Sequence, residues 1–216
     1  MRVPLLVVVA LSTACATTHL ARPVGRGNTR VSASLGGPLV EFAGAPIPVP
    51  MSTVGVAHGV TESVDVHGEL HPTAATHGVG GITAGAAWHP LASHPSALTV
   101  GGTLGTFFTT EDALLLADVW LSGGGKVASW LWLGGGVHNT LRVATSAPGE
   151  TIPWAPTLFG LVAFRLSRRV TFDLELRWYA LASCGQCVAI AYYAPGSVGA
   201  LGVILGVDYQ FGGGAW

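Results

Sequence analysis

From Gly199 to Phe211 the chain reads GALGVILGVDYQF, and its side chains sort by parity. Leu201, Val203, Leu205, Val207, Tyr209 and Phe211 fall on one set, while Ala200, Gly202, Gly206, Asp208 and Gln210 fall on the other. Ile204 alone breaks the alternation. Successive side chains of a β-strand point to opposite faces, so this stretch makes one bulky apolar face and one small or polar face. Val170 to Leu181 repeats the pattern, with Val170, Phe172, Leu174, Leu176 and Trp178 on one face. Thr171, Asp173, Glu175, Arg177 and Tyr179 lie on the other. Such strands must hide their apolar faces in a core or in lipid, and composition favours lipid. Charged residues make up 10% of the 216 residues, against about 25% in soluble proteins. The 31 glycines argue against helices, where each costs about 1 kcal/mol relative to Ala. A net charge of −1 gives no electrostatic case for nucleic acid or for a polybasic membrane tether.

The first fifteen residues, MRVPLLVVVALSTAC, place Arg2 before an apolar run from Val3 to Leu11, followed by small residues. This is the layout of a secretory signal, too short to span a bilayer as a mature helix. Residues 1–15 are therefore expected to be a signal peptide ending in a lipobox-like Cys. The stretch Leu11-Ser12-Thr13-Ala14-Cys15 resembles the bacterial lipoprotein signal, which implies lipidation of Cys15. An ordinary cleavage near Ala14 or Ala16 is the alternative. Residues 16–29, with Pro23, Gly25 and Gly27, are expected to be a periplasmic tether. Cys184 and Cys187 form CGQC in an uncharged stretch of an exported chain, where a local disulfide is expected rather than a redox site.

Strand-like runs follow at Arg30–Val40, Met51–His58, Ser63–His71, Ala74–Trp88, Ala97–Phe108, Ala113–Leu121, Val127–His138, Thr157–Leu166, Val170–Leu181 and Gly199–Phe211. Trp130 and Trp132 share a parity. The prolines at 46, 48 and 50 make residues 42–50 a loop. Ser122-Gly123-Gly124-Gly125 reads as a tight reversal. If the run is a closed up-and-down array, the long loops 42–50, 142–156 and 181–198 are its first, seventh and ninth connections and fall on one side. The short turns near His58, Ser122 and Ser167 fall on the other. A helical membrane protein is disfavoured by Pro195 and the glycines at 185, 196, 199, 202 and 206, and by the charges on every second residue after Thr171.

Signal sequence, period-two strands, unequal loops and an aromatic-ended final strand together resemble the small outer-membrane β-barrels of Gram-negative bacteria, over residues 30–216. The resemblance implies an all-β fold, a closed antiparallel transmembrane β-barrel of about ten strands, with eight or twelve also compatible. It implies location in the bacterial outer membrane, contact with outer-membrane lipid, and handling by a barrel-assembly machinery that reads the terminal strand. Phe211 has the right parity for that signal, and Gly212 to Trp216 follow it.

No catalytic motif is found: there is no G-x-S-x-G, and no Gly cluster precedes Lys-Ser or Lys-Thr. No cofactor is implied. Asp65, His67, Glu69 and His71 share a face, but His67 and His71 lie about 13 Å apart along a strand, too far for one metal without a neighbour such as His77. The same parity argument points Asp118, Arg165, Asp173, Glu175, Arg177 and Asp208 inward, making a polar lumen cluster with Arg177 paired to Asp173 and Glu175. The expected role is structural or surface-interacting and not enzymatic, with an external partner the sequence does not define. Alternatives are a narrow pore whose acidic lumen favours cations, a periplasmic β-sandwich lipoprotein binding apolar ligands, and a lipid-modifying outer-membrane enzyme.

Overall fold

Apolar residues every second position cannot all be buried in a closed single-layer sheet, and the chain turns them outward. The computed structural model describes residues 19, 22–42, 45–76, 78–91, 96–146, 154–179 and 199–212. Its strands are β1 (Thr29–Phe42), β2 (Ala45–Pro48), β3 (Met51–Gly59), β4 (Val64–Leu70), β5 (Gly80–Trp88), β6 (Ser96–Phe108), β7 (Ala113–Ala128), β8 (Leu131–Thr145), β9 (Trp154–Arg165), β10 (Val170–Tyr179) and β11 (Ala200–Phe211), with a one-turn helix α1 (Pro72–Thr76) between β4 and β5. Each barrel strand pairs antiparallel with its sequence neighbour. β1 also pairs with β11, through Val31↔Tyr209 and Leu35↔Leu205, and shuts the ring at ten strands. Closure leaves no strand edge in the wall.

The faces are inverted relative to a soluble sheet. Leu35, Leu104, Leu158, Leu176 and Leu205 stand exposed on the outside, Leu104 at 60%, whereas Asp65, Asp173, Glu175 and Arg177 are buried. Exposed apolar residues on alternate positions of successive strands suit a lipid-facing wall. Aromatic rings gather near one end of the band. Trp130 stacks with Phe164, Phe164 contacts Phe172, and Tyr209 meets Phe211 edge-on. Trp88 joins them from the end of β5. Rings placed so suit the membrane–water boundary.

The connections alternate as the parity argument requires. Residues 43–50, 71–79, 109–112, 146–153 and 180–199 join strands at one end, the loop end. Residues 60–63, 89–95, 129–130 and 166–169 join them at the other, the short-turn end, where the N-terminal end of β1 also lies. At the loop end α1 is tied down by Thr73, whose hydroxyl accepts the Ser52 amide at 2.8 Å. Ala74 and Val79 pack there on Phe107, Leu114 and Leu116.

Several local expectations are corrected. Ser122 to Gly125 does not reverse the chain: β7 runs through it, and the turn falls at Ser129–Trp130. None of these three glycines adopts positive φ; instead Gly124 leaves room for the Trp132 ring, which a Cβ would meet at 2.7 Å. The displaced turn also parts the two tryptophans, leaving Trp130 exposed and Trp132 buried. Ala74 to Trp88 is not one strand, because α1 occupies its start. The proline-rich stretch holds β2, which pairs on one side only, with β1, so the missing N–H groups of Pro46 and Pro48 face no second ladder. β8 extends to Thr145 and β9 begins at Trp154, shortening the loop placed at 142–156. Cys15, His77, Cys184 and Cys187 lie outside the described residues.

Candidate functional site

Among the described residues, buried polar side chains concentrate in the lumen, and part of what fills it is the chain's own N-terminal segment. Residues 22–28, expected to form a tether, pack against the inner wall. Val24 is fully buried. Its amide donates to Asp65 Oδ2 at 2.8 Å, and its carbonyl accepts Gln210 Nε2 at 3.0 Å. Gly25 and Gly27 supply the positive φ values, 81° and 74°, that fold the chain back at the short-turn end. Gly27 N donates to Gly59 O, and Gly59 N donates to Asn28 O. That approach needs Gly59 itself, because a Cβ there would sit 1.9 Å from Gly25 O.

His19 lies deeper. Its amide donates to Glu175 Oε2 at 2.9 Å, and its Nδ1 lies 3.0 Å from Oε1. Its ring stacks flat on Phe159, with centroids 3.8 Å apart, and meets His138 and Trp120 edge-on. Arg177 Nε donates to the same Glu175 carboxylate. Two charges and an imidazole thus share a site in which Glu175 is 0% and Arg177 1% exposed. Burial on that scale is tolerated only when every charge has a partner.

Of the ten residues assigned to the lumen cluster, the structure gathers nine and subdivides them. Glu175 and Arg177 pair directly, so the expected partnership of Arg177 falls to Glu175 rather than Asp173. Asp173 lies instead beside Asp208, with Arg30 and Arg22 nearby. Arg30 holds Asp208 at 3.4 Å, and its other terminal nitrogen donates to Arg22 O at 2.9 Å. Asp118 accepts Thr140 Oγ1 at 2.5 Å and Thr103 Oγ1 at 3.1 Å, with His138 Nε2 at 3.1 Å. Glu69 accepts Thr83 Oγ1 at 3.4 Å, and His67 and His71 line the same cavity. Arg165 stands apart: it lies half-buried by the short turn, where its Nε donates to Ser167 O.

The sequence reading missed His19, Arg22, Arg30, His89 and His138. His89 is fully buried beyond the end of β5, 3.0 Å from Asp65 Oδ2 through Nε2 and 2.9 Å from Thr99 Oγ1 through Nδ1. Since the carboxylate only accepts, Nε2 is the donor to Asp65. Thr99–His89–Asp65 thus has the connectivity of a nucleophile–base–acid chain. Thr99, however, faces a cavity of only about 10 Å³, room for one water. Through His89 the three residues link β4 to β6. Among the described residues no three His, Cys, Asp or Glu side chains converge as metal ligands.

An inverted, closed, antiparallel ten-stranded wall with a polar lumen, an apolar belt and long loops at one end defines the chain as a β-barrel of the bacterial outer-membrane class. One solved structure shares this fold. An outer-membrane channel from Pseudomonas putida F1 aligns over 90% of this chain and 99% of its own, with a TM-score of 0.52 at 9% identity. The translocator domain of the autotransporter NalP from Neisseria meningitidis aligns over 87% and 89%, with TM-score 0.48 and 13% identity. The NanC porin aligns over 85% and 99%, with TM-score 0.48 and 8% identity. No protein-family model matches the sequence, and no curated protein matches it.

Proposed function

We propose that this protein is a structural or surface-interacting barrel of the outer membrane whose lumen is held shut by its own N-terminal segment. The observation that supports the reading is the seat of His19 and of residues 22–28. Val24 is sealed against Asp65 and Gln210, and His19 is held by Glu175 with its ring on Phe159. Strand-end loops carried on a rigid, filled barrel suit contact with partners outside the cell. Lipid contact along the apolar belt, insertion by an assembly machinery reading β11, and acylation at Cys15 belong to the same proposal. Single-channel recording in planar bilayers tests it: the intact protein is expected to give no steady conductance. Steady channels from the intact protein would overturn the reading in favour of a pore. The neighbour from Pseudomonas putida F1 is described as a channel, and the carboxylates of the lumen would make such a pore favour cations.

A further inference from the structure

The connections at the two ends of the barrel differ in charge. Those at the loop end carry Glu111, Asp112 and Glu150 and neither Lys nor Arg. Those at the short-turn end carry Glu62 between β3 and β4, and Arg168 and Arg169 between β9 and β10. Both arginines are exposed and make no salt bridge among the described residues. The 166–169 turn holds them in place. Ser167 Oγ accepts the amides of Arg169 and Val170 at 3.2 and 3.1 Å. The Arg169 carbonyl accepts the Gln210 amide at 2.8 Å, and Arg169 Nη1 donates to Tyr209 Oη at 3.3 Å. Arg165 Nε braces the turn further by donating to the Ser167 carbonyl at 3.1 Å.

These guanidiniums stand where the outward aromatic rings gather. Tyr209 meets Phe211 edge-on, and Trp130 stacks with Phe164, which contacts Phe172. The Trp130 carbonyl accepts the Arg165 amide at 2.8 Å, which sets that ring beside the turn. Leu166 adds an exposed apolar side chain at the turn itself. An aromatic girdle marks the interfacial level of a bilayer, where the headgroups lie. Short turns of such barrels face the periplasm, so the headgroups in question belong to the periplasmic leaflet. Two adjacent guanidiniums at that depth match a phosphodiester, whose oxygens accept paired N–H donors. A headgroup with net negative charge suits them better than a zwitterion, which brings an ammonium of its own.

We infer that the turn between β9 and β10 is a headgroup site for an anionic glycerophospholipid of the periplasmic leaflet, its phosphodiester held by Arg168 and Arg169, with Tyr209 orienting Arg169. The site rests on the reading of the apolar belt as lipid-facing. The test refolds the protein into phosphatidylcholine vesicles that carry a trace of spin-labelled lipid, either phosphatidylglycerol or phosphatidylcholine, with the label on the acyl chain close to the glycerol. Quenching at Trp130 is the part of the tryptophan quenching that is lost in Trp130→Phe. Labelled phosphatidylglycerol is expected to quench Trp130 more strongly than labelled phosphatidylcholine. The preference, expressed as a ratio of association constants, is expected to fall about fivefold in Arg168→Gln, the loss of one guanidinium near an anionic surface. The Arg168 side chain gives the turn no hydrogen bond among the described residues, so this variant is expected to insert as the parent does. Equal quenching by the two lipids would overturn the site, and so would a preference undiminished in Arg168→Gln. Should the parent protein lack heat-modifiable gel migration in these vesicles, the lipid-facing belt fails and the site with it; an inserted barrel without a preference removes the site alone.

Discussion

Replacing Arg177 by Met removes one charge from the deepest ion pair while keeping most of its volume. Glu175, 0% exposed, is then left with His19 as its partner among the described residues. Breaking a buried pair from one side costs about 3–5 kcal/mol, because the remaining charge stays desolvated. Removing both charges, in Glu175→Leu with Arg177→Met, is a different perturbation. Neither charge of the pair remains, and the defect left at His19 is its amide, whose 2.9 Å bond to Glu175 is lost at about 1–3 kcal/mol. The double variant is therefore expected to be more stable than Arg177→Met alone by about 2 kcal/mol. Urea titrations of the micelle-refolded proteins, followed by tryptophan fluorescence, measure this as a higher midpoint at similar slope. A double variant less stable than the single one, its losses simply adding, would refute the account of Glu175 as a charge stabilised by Arg177.

The lipid belt makes a depth-dependent prediction. Leu205→Arg, mid-strand and outward, should destabilise by about 2–4 kcal/mol, and Phe211→Arg at the strand end by about 0–1; similar costs at the two depths would count against membrane immersion. Gly59→Ala should lift the N-terminal segment, because its Cβ would meet Gly25 O at 1.9 Å. Hydrogen exchange at the Val24 amide should then accelerate at least about tenfold, the loss of one buried hydrogen bond to a charged acceptor, while amides of β9 and β10 keep their protection. Gly101→Val should lower stability by about 1–3 kcal/mol through overpacking, since a Cβ there would stand 2.1 Å from the Trp120 ring. An unchanged urea midpoint would show that the ring can move aside.

Much of the wall was legible because its signal is local. In β10 and β11 every second residue states its own face, and those two strands alone orient Asp173, Glu175, Arg177 and Asp208 inward. The glycine triplet at 123–125 was not legible, because glycine serves equally as a turn former and as room for a ring. Only the later position of Trp132 distinguishes the two. The N-terminal segment was harder still. A short stretch with Pro23, Gly25 and Gly27 reads as a linker, and what holds it are contacts across the whole chain, His19 to Glu175 and Val24 to Gln210. No periodicity records such partners. His89 and His138 were invisible for the same reason, each being defined by a carboxylate on another strand.

A hoop that contains its own tail imposes an order on its making. Residues 26–28 are stitched to Gly59, at the far end of the hairpin that β1 forms with β3, so the tail is gathered by its nearest neighbours early. The seam between β1 and β11 joins the two extremes of the array. If it sealed first, the tail would have to be threaded through an already finished ring to bring His19 to Glu175. Laying the tail down before the seam zips avoids that passage, which makes the last strand the latch on a vessel already filled.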